Sequence, residues 1–325
     1  MYTYLLNKLE GKKLTDWQTF LQNLGLEADI DVTQTALLYD GDTLVATGSR
    51  QGNLLKCIGV HPDRQGEDLT SKILSVLRQE AFADGYRHLF LYTKPENQDM
   101  FSSLFFYPVA KTDKVLLMEN RQNGISEFLK TLPVIKGAKK IGAIVVNCNP
   151  FTLGHRFLIE TAAKECCHLY VFVVSEDKSR FSYDERMKMV TFGVADIENV
   201  TVLPTGPYLI SSATFPTYFI KEKENLGEIK CLLDIEIFVK YFVPHFSITQ
   251  RYIGTEPVCE TTNQYNKALK EYLPKHNIKI KEIPRLCISG EIVSASTVRK
   301  LLDEKNFEKI KELVPKTTFN FLKKD

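Results

Sequence analysis

The sequence predicts an α/β protein in two parts: a doubly wound parallel sheet in the C-terminal half, preceded by an α+β domain rich in antiparallel strands. Three observations carry this. Residues 141–146 and 169–174 are continuous apolar runs of strand length, the pattern of strands buried on both faces. Beyond them, such runs alternate with segments of helical periodicity, which specifies parallel strands joined by crossover helices. Before residue 130 the candidate strands instead follow one another through short turns, as antiparallel strands do.

The chain has 325 residues, too many for one small core. A boundary near residue 130 divides it into domains of residues 1–130 and 131–325. In the first, residues 37–39 and 43–47 flank Asp40-Gly41-Asp42 as a hairpin, and Leu54–Val60 is a further strand. Asp68 is read as the cap of a helix over Leu69–Ala83, where Ile73, Leu74, Leu77 and Ala81 recur at helical spacing and Gly85 ends the run. Residues 88–93 read as a strand, 100–106 as a helix or turn, and 115–119 as a closing strand. Residues 124–140, with Pro133, Gly137 and four lysines, read as a connector. In the second domain the strand at 141–146 leads through a loop to a helix from Gly154. Further strands fall at 169–174, 200–203, 251–254 and Lys279–Ile283. Helices fall at 182–192, 221–233, 296–305 and 306–314, the first opening with Ser182 and Glu185 at capping-box spacing.

Composition narrows the function. With 42 basic and 40 acidic residues, the net charge of +2 exerts no general pull on nucleic acid or an anionic membrane. Lys275, Lys279 and Lys281 read as a solvated face. Seven cysteines, none in a C-x-x-C pair, show no metal-ligand spacing and suit reduced thiols of a cytosolic protein. Residues 1–13 lack the apolar stretch of a secretory signal, and no apolar run has membrane-spanning length. The expectation is a soluble cytoplasmic protein without a protein-held metal. His61 and His88, beside strands, read as packing or surface residues.

The chemistry concentrates in two segments. Asn147-Cys148-Asn149-Pro150-Phe151-Thr152-Leu153-Gly154-His155 joins a buried strand to a helix. Ligands of such sheets lie beyond the carboxyl ends of strands, and a helix N-terminus offers free N–H groups and partial positive charge to a polyphosphate. Gly154 permits close backbone approach. His155, in the first turn, can donate to an α-phosphate oxygen, where charge builds during in-line attack. The second segment, Ser294-Ala295-Ser296-Thr297-Val298-Arg299, opens a helix and places hydroxyls, amides and one guanidinium where β- and γ-phosphates could bind. Each segment alone also reads as an ordinary strand-loop-helix or Ser/Thr helix cap.

Together they resemble the H/T-x-G-H and I-S-S/A-T/S-x-x-R pair of the nucleotidyltransferase superfamily, with Thr152 at the first His position and His155 at the second. That resemblance implies a HIGH-type domain in which His155 and Thr152 are catalytic. It also implies that Asn149, Phe151, Gly154, Ser294, Ser296 and Arg299 bind nucleotide. Arg251-Tyr252-Ile253-Gly254-Thr255-Glu256 resembles the strand-end segment that meets the nucleoside, making Gly254 and Glu256 candidates, with a structural turn as the alternative.

In the first domain, the stretch from Ile58 to Leu74 resembles the CoA pyrophosphate loop of GNAT acetyltransferases, with Gln65 and Gly66 in place. Asp68 and Thr70 replace its small residues, and Phe105 replaces the glycine of a later L-G-F. A carboxylate close to a pyrophosphate is unfavourable, so a GNAT-like domain that binds or docks is expected. A GNAT-like domain before a T-x-G-H domain resembles the citrate lyase ligase family over nearly the whole chain, including Thr93-Lys94-Pro95-Glu96-Asn97. The resemblance implies ATP, with Mg²⁺ carried on the triphosphate, and acetate activated as acetyl-adenylate with release of pyrophosphate. Acetyl would then pass to the thiol of the CoA-derived prosthetic group on the acyl-carrier subunit of citrate lyase. Phe151 and residues 215–219 are candidate walls for acetate. The alternatives are an adenylyltransferase of a nucleotide or phosphopantetheine, a tRNA-modifying acetate ligase, or an acetyltransferase with an accessory domain.

Overall fold

The computed structural model describes residues 1–175, 179–209, 218–220, 226–256 and 260–323. Their contacts divide the chain into two compact units, Met1–Gly124 with Pro216–Ile229, and Ile125–Phe215 with Lys230–Asp325.

The first unit is α+β. Its strands are β1 (Tyr2–Leu6), β2 (Gln34–Asp40), β3 (Thr43–Gln51), β4 (Leu54–Val60), β5 (Phe90–Thr93), β6 (Tyr107–Lys111) and β7 (Leu116–Glu119), in the order β1-β2-β3-β4-β5-β7-β6. Neighbours are antiparallel except β4 and β5. That parallel pair aligns only Leu54 with Phe90 and Leu55 with Leu91. Beyond these residues the two strands run on without pairing to each other. Helices α1 (Gly11–Asn23), α2 (Leu69–Ala83) and α3 (Gln98–Ser103) complete the unit. The apolar stripe of α2, from Leu69 through Ile73, Leu74, Leu77 and Ala81, packs on Ala36, Leu38, Val45 and Leu55 of the sheet. Gly48 is needed beneath it, since a Cβ there would lie 2.5 Å from Ile73 Cγ2.

Asp68 does not act as the expected side-chain cap of α2. Its φ is 58° and its side chain makes no cap hydrogen bond. Capping needs an extended residue whose oxygen folds back on the first-turn amides, and the left-handed backbone prevents that. The strands β1 and β6 and the helix α1 were not expected. Three of the five residues of β1 are exposed, so no buried face marks it. The start of the expected connector is the helix α4 (Gly124–Lys130), with Ile125 and Leu129 buried.

The second unit is a five-stranded parallel sheet of β8 (Ile141–Val146), β9 (His168–Val173), β10 (Val200–Pro204), β11 (Gln250–Gly254) and β12 (Lys279–Ile283), ordered β10-β9-β8-β11-β12. The helices are α5 (Leu153–Glu165), α6 (Tyr183–Gly193), α7 (Leu226–Ile237, of which residues 230–237 belong to this unit), α8 (Val243–Phe246), α9 (Glu260–Tyr272), α10 (Ala295–Asp303), α11 (Phe307–Leu313) and α12 (Lys316–Leu322). Residues 221–225 of the helix expected at 221–233 lie outside the described residues. A two-residue-per-strand hairpin, β13 (Cys287–Ile288) and β14 (Glu291–Ile292), precedes α10.

The continuous apolar character of β9 follows from burial on both faces. Leu169, Val171 and Val173 join a core with Ile159 of α5, Val190 of α6 and Val298 of α10. Tyr170 and Phe172 point the other way, against Phe242 and Phe246. Ser182 and Glu185 form the expected reciprocal capping box of α6. No described helix is long and apolar enough to cross a membrane.

Candidate active site

The chain builds β8, β9 and β10 outward in one direction, then returns to place β11 on the other side of β8. That reversal opens a crevice between the carboxyl ends of β8 and β11, where doubly wound sheets bind ligands. The loop after β8, the start of α5, the end of β11 and the start of α10 carry the candidate side chains.

Thr152 is the N-cap of α5 and is buried. A capping box normally carries Glu or Gln at the third helical position; here it carries His155. The backbone N–H of Thr152 donates to His155 Nδ1 at 3.1 Å, and Thr152 Oγ1 lies 2.9 Å from the same nitrogen. The His155 N–H in turn donates to Thr152 Oγ1 at 3.4 Å. Because Nδ1 accepts, the proton of the neutral ring sits on Nε2. Thr152 therefore sets the tautomer, and Nε2–H is the group left to donate to a ligand.

His155 is half-buried. Loss of solvent around its ring, helped by the nearby charge of Arg285, pushes its pKa down from 6.5 to about 4. The ring stacks on the buried Phe151, with centroids 5.9 Å apart and planes 18° apart. Gly193, at the end of α6, makes room for Phe151, since a Cβ there would lie 2.3 Å from the phenyl Cε1. Phe151, fully buried, thus supports the His155 ring from below. A histidine neutral in the fold and ionised in the unfolded chain takes up its proton only on unfolding. Its contribution to stability is complete above pH 6.5 and lost as the pH falls to about 4. Thermal melts across that range should show the loss, and His155→Asn, which cannot ionise, should show a shallower fall. Parallel pH profiles for the two proteins would contradict the assignment.

Gly154 makes its closest approach to protein rather than to open space: a Cβ would lie 2.9 Å from the Val293 carbonyl oxygen. This brings the start of α10 against the start of α5. Ser294 caps α10, accepting the Thr297 N–H at 3.1 Å, and its hydroxyl also meets Ser296 Oγ at 2.9 Å. Arg299 is not a solvated surface residue. Its Nη1 donates to the Asn149 carbonyl at 2.5 Å, tying α10 to the loop after β8. The Asn149 side chain accepts from the Phe181 N–H at 3.3 Å.

At the end of β11, the Gly254 carbonyl accepts from Asn266 Nδ2 at 2.9 Å, and among the described residues, its chain neighbours aside, no atom lies within 4 Å of where a Gly254 Cβ would stand. The Glu256 side chain is nearly buried and pairs with Arg285. Among the described residues no group of three or more His, Cys, Asp or Glu side chains could hold a metal ion.

Two arginines escaped the sequence reading. Arg186 of α6 has no solvent exposure. Its Nη1 serves the Asn147 carbonyl at 3.0 Å, Asn147 Oδ1 at 2.7 Å and the Val174 carbonyl at 2.8 Å, while Nε reaches the Phe181 carbonyl at 3.2 Å. It binds together the segments that follow β8 and β9. Arg285 lies two residues beyond β12. Neither carries a sequence signal, since the groups they meet are distant in the chain.

In the first unit, Gln65 and Gly66 line a cleft of 610 Å³ where β4 and β5 diverge, together with Asp68, Thr70, Tyr92 and Asn97. The cleft-lining loop lies between β4 and α2, as the GNAT resemblance implies. Phe105 is exposed with φ 62°, a left-handed conformation that glycine adopts at lower cost. Tyr218 and Phe219 also line this cleft, with the Tyr218 hydroxyl donating to the Tyr92 carbonyl at 3.1 Å. Residues 215–217, the rest of the candidate acetate wall, lie outside the described residues, as does Cys259. His88 packs on Phe90 and meets Glu119 Oε2 at 2.5 Å.

Residues 141–322 match the family model of the citrate lyase ligase C-terminal domain. The chain is 41% identical to the [citrate [pro-3S]-lyase] ligase of Klebsiella pneumoniae over 305 residues, 92% of this chain and 89% of that protein. It is 38% identical to the ligase of the same name from Haemophilus influenzae over 325 residues, 97% and 96% of the two chains. The corresponding Escherichia coli protein is 36% identical over 324 residues, 98% and 92% of the two. With a family match across the domain that holds the crevice, and relatives aligned along nearly their full length, the chain belongs to the citrate lyase ligase family and is a ligase.

Proposed function

We propose that the chain activates acetate with ATP and passes the acetyl group to the thiol of the CoA-derived prosthetic group on the acyl-carrier subunit of citrate lyase. In the first step an acetate oxygen attacks the α-phosphorus, the bond to the bridging oxygen breaks, and pyrophosphate leaves. In the second, the carrier thiolate attacks the carbonyl carbon of the acetyl-adenylate and AMP leaves with the bonding electron pair. The observation that carries this reading is the His155 ring, held neutral with Nε2–H free by Thr152 at the head of α5 and faced by the head of α10. A neutral donor aimed at the α-phosphate stabilises the charge that grows there without a proton being moved. Ser294, Ser296 and Arg299 would hold the departing pyrophosphate, with Arg299 keeping further N–H groups beyond the one bonded to Asn149. Gly254 and Glu256 would border the nucleoside. Catalysis is then mainly positioning and charge stabilisation.

Mg²⁺ would arrive on the triphosphate, as it commonly does where carboxylate cages are absent. The cleft of the first unit is the candidate groove for the CoA-derived arm, through Gln65 and Gly66. Seven cysteines without a C-x-x-C pair suit a cytoplasmic setting. The test is ATP–pyrophosphate exchange. Acetate should support exchange in the absence of carrier protein. Exchange absent with acetate but present with a nucleotide or phosphopantetheine acceptor would overturn the reading in favour of another adenylyl transfer.

A further inference from the structure

Arg285 is built into the crevice by three contacts. Its backbone N–H donates to Thr255 Oγ1 at 3.1 Å, its Nε donates to the Thr255 carbonyl at 2.7 Å, and its Nη2 pairs with Glu256. Thr255 itself is fixed to the sheet, its N–H donating to the Ile283 carbonyl at 3.0 Å. The guanidinium is therefore held at the carboxyl ends of β11 and β12, on one side of the crevice. The hairpin that follows carries the connection across. Leu286, the next residue, accepts from the Val293 N–H at 3.0 Å, and the Val293 carbonyl lies against Gly154. His155 follows at once. Arg285 and His155 thus stand on adjoining layers of one wall.

Two features show that Arg285 does more than brace its neighbours. Its side chain is 27% exposed while that of Glu256 is 5% exposed, so the cation rather than the carboxylate remains open to solvent and to a ligand. Its Nη1 has no hydrogen-bond partner among the described residues. An arginine anchored along its Nε and Nη2 edge, with Nη1 open, is prepared to take one more oxyanion. Its charge also bears on the His155 ring and opposes protonation there. A guanidinium with an open edge and a neutral N–H donor on adjoining layers of one wall are together suited to hold one oxyanion.

We propose, on the adenylation reading of this site, that Arg285 is a second oxyanion-binding residue, its Nη1 taking a charged oxygen of the substrate that His155 Nε2 also addresses. The oxygen belongs to a phosphoryl group or to the attacking carboxylate, which offer the same chemistry to a guanidinium. Glu256 acts through Arg285 as a positioning residue, keeping its plane fixed.

The test uses the full chain with Arg285→Gln and Arg285→Lys, titrated separately with α,β-methylene-ATP, inorganic pyrophosphate and acetate. Loss of one charged hydrogen bond should weaken binding of the affected probe about 10- to 100-fold in Arg285→Gln, and Arg285→Lys should recover part of it. Weakening confined to α,β-methylene-ATP and pyrophosphate assigns the oxygen to a phosphoryl group; weakening confined to acetate assigns it to the carboxylate. The His155 ring proton resonance gives a second readout that a bracing role would not move. Its titration midpoint should rise in ligand-free Arg285→Gln and stay low in Arg285→Lys. An unmoved midpoint, or equal affinities for wild type and Arg285→Gln, overturns the assignment alone. A wild-type protein that binds none of the three probes overturns the adenylation reading and this assignment with it.

Discussion

His155→Ala is expected to lower acetate-dependent turnover about 100- to 1,000-fold, the loss typical of removing one preorganised transition-state donor. The geometry makes the donor specific. Nδ1 is consumed by the Thr152 N–H, so the ring has one direction in which to donate. Burial keeps it neutral, with a pKa near 4, so it donates without first losing a charge across the physiological range. The stability effect should be far smaller. Alanine removes the reciprocal half of a capping box, and the Thr152 hydroxyl still caps α5, so about 1 kcal/mol is at stake, roughly 2–4 °C in melting temperature for a unit of this size. Turnover and a thermal melt on the same preparation separate the two effects. Near-normal turnover in the variant would remove His155 from the chemistry.

Arg186→Met should act the other way, on stability before chemistry. The side chain has no solvent exposure and serves four acceptors on three segments. Methionine fills much of the volume but donates nothing; the two buried acceptors, the Phe181 and Val174 carbonyls, each cost about 1–3 kcal/mol when left without a partner, while the Asn147 oxygens can turn to water. The expected loss is about 2–5 kcal/mol, or roughly 4–20 °C in melting temperature. Arg186→Lys should recover only part, since an ammonium cannot reproduce the planar fork. Because Asn147 and Phe181 flank the loop that carries Thr152, exchange activity should fall even well below the melting point. An unchanged melting temperature in Arg186→Met would show that those acceptors find other partners.

The contrast between His155 and Arg186 marks what could be read from the chain. Features whose partners are local were legible. The stripe of Leu69–Ala83 repeats within one helix, Ser182 and Glu185 are three residues apart, and Thr152 and His155 meet across a single turn. The parallel sheet was legible too, because burial on both faces leaves β8, and β9 after His168, continuously apolar. Features that depend on distant neighbours were not. Arg186 meets Asn147 from 39 residues away, and Arg285 meets Thr255 from 30. The strands β1, β13 and β14 are short or exposed and leave no pattern. Asp68 has the right residue type for a cap and the wrong backbone conformation, which only the neighbouring structure determines.

The central place of β8 has a consequence for the order in which the protein can be made. One of its edges is covered early by β9, while the other waits for β11, and the Ile141 N–H meets Thr249 across 108 residues of chain. At about 5–20 residues per second of synthesis, that edge stays bare on the ribosome for roughly 5–20 s, the kind of unpaired strand that invites pairing between nascent chains. Arg299 reaches Asn149 later still, across 150 residues. If α10 holds the pyrophosphate as proposed, nucleotide chemistry waits for that helix to emerge, and an incomplete product stalled before α10 is expected to be inert towards ATP.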